Sequence, residues 1–191
     1  MDGLWNPERF RNWTLFLDRD GVINRELPSD YVKCIDEFEF EPGAIQAIAD
    51  LSGLFSLIVI VTNQRGVGAG LMTNTDLNTV HEHMTRLIVS AGGRIDAIYA
   101  ATAEDRQSTE RKPKPTMGLK AKSDYPEIEF EKSLMVGNSE SDILFGKNLG
   151  MKTAFIDDKN QFEQRNSAFG SDWVFSSLSS LAYSLMNSGI E

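Results

Sequence analysis

Two aspartates, Asp18 and Asp20, stand two residues apart and are followed directly by Gly21. Their separation by one residue suggests a division of labour between them, and Gly21 permits a tight exit that lets a ligand approach the backbone. Two buried carboxylates this close repel, and the repulsion is relieved by a bound cation or by protonation of one. Mg2+, a hard ion that takes oxygen ligands, is the natural candidate. Thr62, Asn63, Gln64 and Arg65 lead into the glycine-rich stretch 66–70. Its hydroxyl, amide and backbone N–H groups are the equipment of a phosphate cradle. Arg111, Lys112 and Lys114 are interleaved with Pro113 and Pro115, so three cations suited to an anionic ligand ride on a stiffened backbone. Asn138 and Asp142, four apart, share a face if a helix starts there, and both offer oxygen ligands. Taken singly, each group has a plain alternative: an Asp-rich turn, a weak glycine loop, a solvated basic loop, an N-cap beside a surface aspartate.

Their placement changes the balance. Each group follows one of four β-rich apolar runs, at Thr14–Leu17, Leu57–Val61, Ile95–Ala100 and Ser133–Val136, with further runs at Thr153–Ile156 and Trp173–Phe175. Helical stretches lie between them: 42–52, 75–92 with Leu77, Val80, Met84, Leu87, Ile88 and Ala91 at helical spacing, 139–150, and 177–186. This alternation predicts right-handed βαβ units and an α/β, three-layer, Rossmann-like parallel sheet with helices on both faces. Ligands of such sheets bind at the carboxyl ends of the strands, where all four groups fall. The polar stretch 104–114 reads as a surface loop.

The chain has 191 residues, 41% of them hydrophobic, enough for one domain over 1–191 with a substantial core. With 19 basic against 28 acidic side chains the net charge is −9, which argues against nucleic acid and anionic membranes as partners. No apolar run approaches the ~20 residues of a membrane span, and residues 1–10 lack the apolar core of a secretory signal. Cys34 is the single cysteine, so there is no intrachain disulfide and no cysteine-built zinc site. The expectation is a soluble, cytoplasmic protein, monomeric by default. His81 and His83, two apart in a helical stretch, point to different faces.

Together, DRDGVIN at 18–24, TNQRGVGAG at 62–70, RKPKPTM at 111–117 and VGNSESD at 136–142 resemble the four ordered motifs of the haloacid dehalogenase-like (HAD) phosphatase superfamily. Within it the pattern is similar to the histidinol-phosphatase and D-glycero-D-manno-heptose 1,7-bisphosphate phosphatase branch, which residues 31–43 also resemble. The resemblance spans about residues 14–157 and implies a capless HAD-like fold. It implies an Mg2+-dependent phosphomonoesterase acting on a small phosphorylated metabolite through an aspartyl-phosphate, with heptose 1,7-bisphosphate ahead of histidinol phosphate. By the same resemblance Asp18 is the nucleophile and Asp20 the acid/base. Thr62 and Lys112 complete the catalytic set. Asn63, Arg19, Arg65 and Arg111 hold phosphate or substrate, and Asp18, Asp20, Asn138 and Asp142 hold the metal. Arg111, Lys112 and Lys114 are expected to place positive charge at the lip facing the carboxylates. Tyr31 and Lys33 are pocket candidates.

Two departures stand out. Relatives in this branch often carry a zinc-binding Cys/His set before the RKP motif, whereas Ala103–Glu110 has neither residue type, so no zinc is expected. The fourth motif usually begins with aspartate where this chain has Asn138, which removes one negative charge from the metal site. Asn138 also motivates a reading from another class, a phosphometabolite-binding protein without turnover. A polynucleotide 3′-phosphatase, suggested by a similar TNQ segment, is disfavoured by the acidic charge.

Overall fold

The apolar runs form six parallel strands: β1 (Thr14–Leu17), β2 (Leu57–Asn63), β3 (Ala97–Ala101), β4 (Ser133–Gly137), β5 (Lys152–Ile156) and β6 (Trp173–Phe175). Their order in the sheet is β3-β2-β1-β4-β5-β6. The structure, a computed structural model, describes residues 7–28, 30–105, 107–157 and 167–187, so most of residues 1–10, read above for a secretory signal, lie outside the described residues. β1 and β4 are buried along their whole length, as central parallel strands covered on both faces must be.

Alternate side chains feed two cores. Leu15, Leu17, Ile58, Ile60, Leu134 and Val136 face α1 (Ala44–Ser52), α3 (Asn74–Ser90) and α6 (Leu178–Asn187). Phe16, Val59, Val61 and Met135 face α4 (Thr116–Asp124) and α5 (Glu140–Leu149). Truncating a buried ring such as Phe16 to alanine typically costs about 3–5 kcal/mol. This is the predicted three-layer architecture. No helix among the described residues is long and apolar enough to cross a membrane.

The structure moves several boundaries. β2 runs on through Thr62 and Asn63, which pair with Ala100 and Ala101 of β3, so the cradle residues sit on the strand end rather than beyond it. β3 begins at Ala97 rather than Ile95, because Asp96 turns its carboxylate back to accept the Ile58 N–H. A short α2 (Arg65–Gly68) and α4 were not anticipated. After β1 the chain leaves the sheet and returns: Asn24 bridges antiparallel to Phe40, and the Arg25 N–H donates to the Glu39 carbonyl. The excursion 25–40 is thereby pinned at its base over the carboxyl end of the sheet.

Candidate active site

The end of β1 delivers Asp18 and Asp20 to opposite partners. Asp18 Oδ1 is tethered twice, by the Arg19 N–H at 2.8 Å and by Lys112 Nζ at 2.8 Å. The same ammonium lies 2.6 Å from Asp142 Oδ1 and donates to the Val61 carbonyl at 2.7 Å, so all three of its N–H groups are used. Lys112 is 4% exposed, although it belongs to a stretch expected to be a solvated loop. What draws it in is the end of β2. Asn63 Oδ1 accepts from the Lys112 N–H at 3.0 Å and threads that loop beneath the strand.

Asp20 receives a different set. Arg19 Nη2 and Asn24 Nδ2 each donate to its Oδ1 at 2.9 Å, and Gln64 Nε2 donates to its Oδ2 at 2.7 Å while also reaching Thr62 Oγ1 at 2.9 Å. Burial alone would raise the Asp20 carboxyl, but the Arg19 charge and the hydrogen bonds from Arg19, Asn24 and Gln64 outweigh it and hold Asp20 below the usual carboxylate range. Asp18 goes the other way. Burial, then the neighbouring Asp142 charge, push it up to about 7 against the opposing pull of Lys112.

A cleft of 170 Å³ opens above these groups, walled by Asp18, Asp20, Thr62, Asn63, Lys112 and Asn138, with Leu27, Tyr31 and Ser139 on its outer walls. Of the residues assigned to chemistry, these six of the first group are brought together. Four assignments are corrected. Arg19, expected to hold substrate, is fully buried beneath the cleft and spends its guanidinium on Asp20 and on His81. Arg65 is drawn away to Glu104, donating from Nε to the backbone carbonyl at 3.0 Å. Arg111 does not line the cleft. Asp142, expected to ligate metal directly, is fully buried. Its Oδ2 accepts from Ser139 N–H and hydroxyl and caps α5, which leaves Oδ1 to Lys112. Gly137 makes this possible, since a Cβ there would run into the Asp142 side chain. The expected basic lip is not formed: Lys114 is tied to the Gln107 carbonyl, and Lys112 is the cleft's one lining cation among the described residues. Lys33, too, turns away to pair with Asp30 and Glu37, whereas Tyr31 stays on the cleft wall.

Three residues in this network were not singled out from the sequence as site residues: Asn24, Gln64 and His81. The signal for His81 was present. It lies four residues after Leu77 and three before Met84, on the buried stripe of α3.

The site as described is short of positive charge. Among the described residues the partners of Asp18, Asp20 and Asp142 include the cations Lys112 and Arg19, and Glu26 and Asp30 add carboxylates to the cleft lining. A divalent cation would correct this shortage. Asp18 Oδ2, which has no hydrogen-bond donor recorded among the described residues, and the Asn138 amide oxygen are suitable hard donors at the wall. The Asn138 amide packs where a side chain on Gly21 would stand, with Gly21 at φ +78°, so a residue with a Cβ is excluded at 21 on two counts. Among the described residues no three His, Cys, Asp or Glu side chains cluster as a metal site.

Comparison with known proteins identifies the family. The HAD-hydrolase-like family model matches residues 109–181. A Mycobacterium tuberculosis protein named D-glycero-alpha-D-manno-heptose-1,7-bisphosphate 7-phosphatase is 41% identical over 138 residues, 72% of this chain and 73% of that one. The chain belongs to the HAD-like phosphatases. An Escherichia coli relative of this phosphatase, D-glycero-beta-D-manno-heptose-1,7-bisphosphate 7-phosphatase, is 34% identical over 177 residues, 87% of this chain and 90% of its own. The crystal structure of D,D-heptose 1,7-bisphosphate phosphatase from B. bronchiseptica, complexed with magnesium and phosphate, superposes on the phosphatase with a TM-score of 0.82. It has 29% identity and covers 91% of this chain and 98% of the other.

Proposed function

We propose that this phosphatase hydrolyses a phosphomonoester of a heptose 1,7-bisphosphate, with Mg2+, through a phosphoryl group carried on Asp18. The observation that carries the reading is the Asp18 carboxylate, fixed by two donors on Oδ1 at the wall of the cleft. The names of the relatives, and the magnesium and phosphate bound in the B. bronchiseptica structure, support the substrate and the ion.

In this reading Asp18 Oδ2 forms a bond to phosphorus as the bond from phosphorus to the sugar oxygen breaks. Asp20 supplies the proton that the departing alkoxide takes up. Water then attacks the phosphorus and gives a proton to Asp20, and the acyl-phosphate bond breaks to return Asp18 and inorganic phosphate. The donors around Asp20 favour its anionic form, which suits the water-activating half of the cycle. Lys112, locked between Asp18 and Asp142, offsets charge as the anionic nucleophile meets an anionic phosphate, while the Thr62 hydroxyl and Asn63 amide border the phosphoryl position. Bound Mg2+ supplies the remaining positive charge that lets a dianionic phosphate enter an acidic cleft, held by Asp18, the Asp20 carbonyl and Asn138.

The test is phosphate release from heptose 1,7-bisphosphate, histidinol phosphate and an aryl phosphate, with and without Mg2+. The expected result is Mg2+-dependent turnover, greatest on the heptose bisphosphate, and absent in Asp18→Asn. Equal rates for wild type and Asp18→Asn would leave only a binding role for the site.

A further inference from the structure

Arg19 is fully buried, and a buried guanidinium must find acceptors for a planar fork of five N–H groups. Two edges of the fork are accounted for. Nε and Nη2 reach Asp20 Oδ1 at 3.3 and 2.9 Å, while Nη1 lies 3.1 Å from His81 Nε2. Arginine has no acceptor of its own, so this contact requires an unprotonated Nε2 with its lone pair toward Nη1, and hence a neutral ring carrying its proton on Nδ1. Burial, then the Arg19 charge, favour that neutral ring. His81 is itself 8% exposed and fixed on α3, whose neighbouring residues Val80 and Met84 are in the core, so the imidazole is a rigid stop for the guanidinium.

We propose that His81 is a positioning residue for the reaction: by accepting from Arg19 Nη1 it aims the Arg19 fork, which in turn holds the Asp20 carboxylate toward the oxygen that leaves phosphorus. His81 reaches the chemistry from α3 across two side chains and touches neither substrate nor cation. The inference rests on the phosphatase reading given above, and it predicts which half of the reaction suffers when the relay is cut. A sugar alkoxide is a poor leaving group that needs the proton from Asp20, whereas an activated aryl oxide leaves without it. The value of kcat/KM reports steps through the first irreversible phosphoryl transfer, so the two substrates separate an acid-positioning defect from a general loss of structure.

The experiment compares wild type, His81→Leu and His81→Gln with Mg2+, on a sugar phosphate and on p-nitrophenyl phosphate. For His81→Leu, kcat/KM on the sugar phosphate should fall roughly 10- to 100-fold and on the aryl ester by less than about 3-fold, with KM little changed. Glutamine, whose Oε1 can accept from Nη1, should recover most of the sugar-phosphate rate. Equal losses on both substrates, no loss on either, or no recovery by glutamine would overturn the proposal. Nitrogen-15 NMR of the wild-type histidines is a second readout that needs no variant to fold. A pyridine-like, unprotonated His81 Nε2 is expected, and a protonated Nε2 would overturn the proposal as well. Wild type that turns over neither ester would sink the phosphatase reading instead, while the NMR result would still report on the Arg19 contact.

Discussion

Lys112→Met removes a cation from between two carboxylates without removing volume. Lys112 Nζ lies 2.8 Å from Asp18 and 2.6 Å from Asp142, with the lysine and Asp142 almost wholly out of solvent. At an effective dielectric constant near 20, each attraction is worth roughly 6 kcal/mol before desolvation, which cancels much of it. The variant does not simply lose the difference. It leaves two buried carboxylates facing one another, and breaking one partner out of a buried ionic cluster costs about 3–5 kcal/mol. For a chain of this size that is a drop in Tm of roughly 6–20 °C. Urea denaturation and calorimetry near pH 7.5 without Mg2+ measure it. Adding Asp142→Asn to Lys112→Met removes one orphaned charge, so the double variant should be more stable than the single one by at least about 1 kcal/mol. A loss below about 1 kcal/mol for Lys112→Met, or no recovery in the double variant, would refute the idea that this ammonium neutralises both carboxylates.

Other perturbations read other parts of the site. Asn138→Asp restores a negative charge beside Asp18 and should lower the Mg2+ concentration for half-maximal activity by roughly tenfold; an unchanged or higher requirement would remove Asn138 from the ligand set. Gly21→Ala forces a side chain into positive φ and into the Asn138 amide, and should cost about 1–3 kcal/mol by thermal denaturation together with a higher Mg2+ requirement. His81 is depressed to about 4 from 6.5, so between these values the unfolded chain binds a proton that the folded chain refuses, and stability falls as pH falls. From pH 7 to 5 this amounts to about 2 kcal/mol. Asp18, raised to about 7, works with the opposite sign in the same window without Mg2+, so the difference in pH slope between wild type and His81→Gln isolates the histidine. Parallel slopes would contradict a neutral buried ring.

The strands were readable because buried parallel strands are continuous apolar runs, and the carboxyl ends of four of them were marked in turn by carboxylates, a hydroxyl-amide loop, cations and oxygen ligands. α4 escaped notice because it buries only Met117, Gly118 and Ala121 while carrying Lys120 and Lys122, too thin a stripe to register as periodic. Within the site, residue type was legible and direction was not. Arg19 between two aspartates reads as a phosphate ligand, yet it turns beneath the cleft to α3. Lys112, in a polar and proline-rich stretch, reads as solvated, yet its ammonium reaches the Val61 carbonyl, 51 residues away in sequence. Asp142 reads as a metal ligand until its neighbours in space show it capping its own helix. Long-range pairings decide the Arg19 and Lys112 outcomes, whereas the Asp142 cap is a local Ser-x-x-Asp pattern that competes with the ligand reading.

Asp18 and Asp20 are separated by one residue but belong to different layers of the molecule. The groups around Asp18, namely Lys112 and through it Asp142, are anchored on the α5 face. Those around Asp20, reaching through Arg19 to His81, are anchored on the α3 face. The sheet is thus a partition between two supports, which in the proposed reaction would serve bond formation at phosphorus on one side and proton delivery on the other. Sequence change in one helical layer can retune a single half of the cycle while the other keeps its settings, a form of modularity built into a span of three residues.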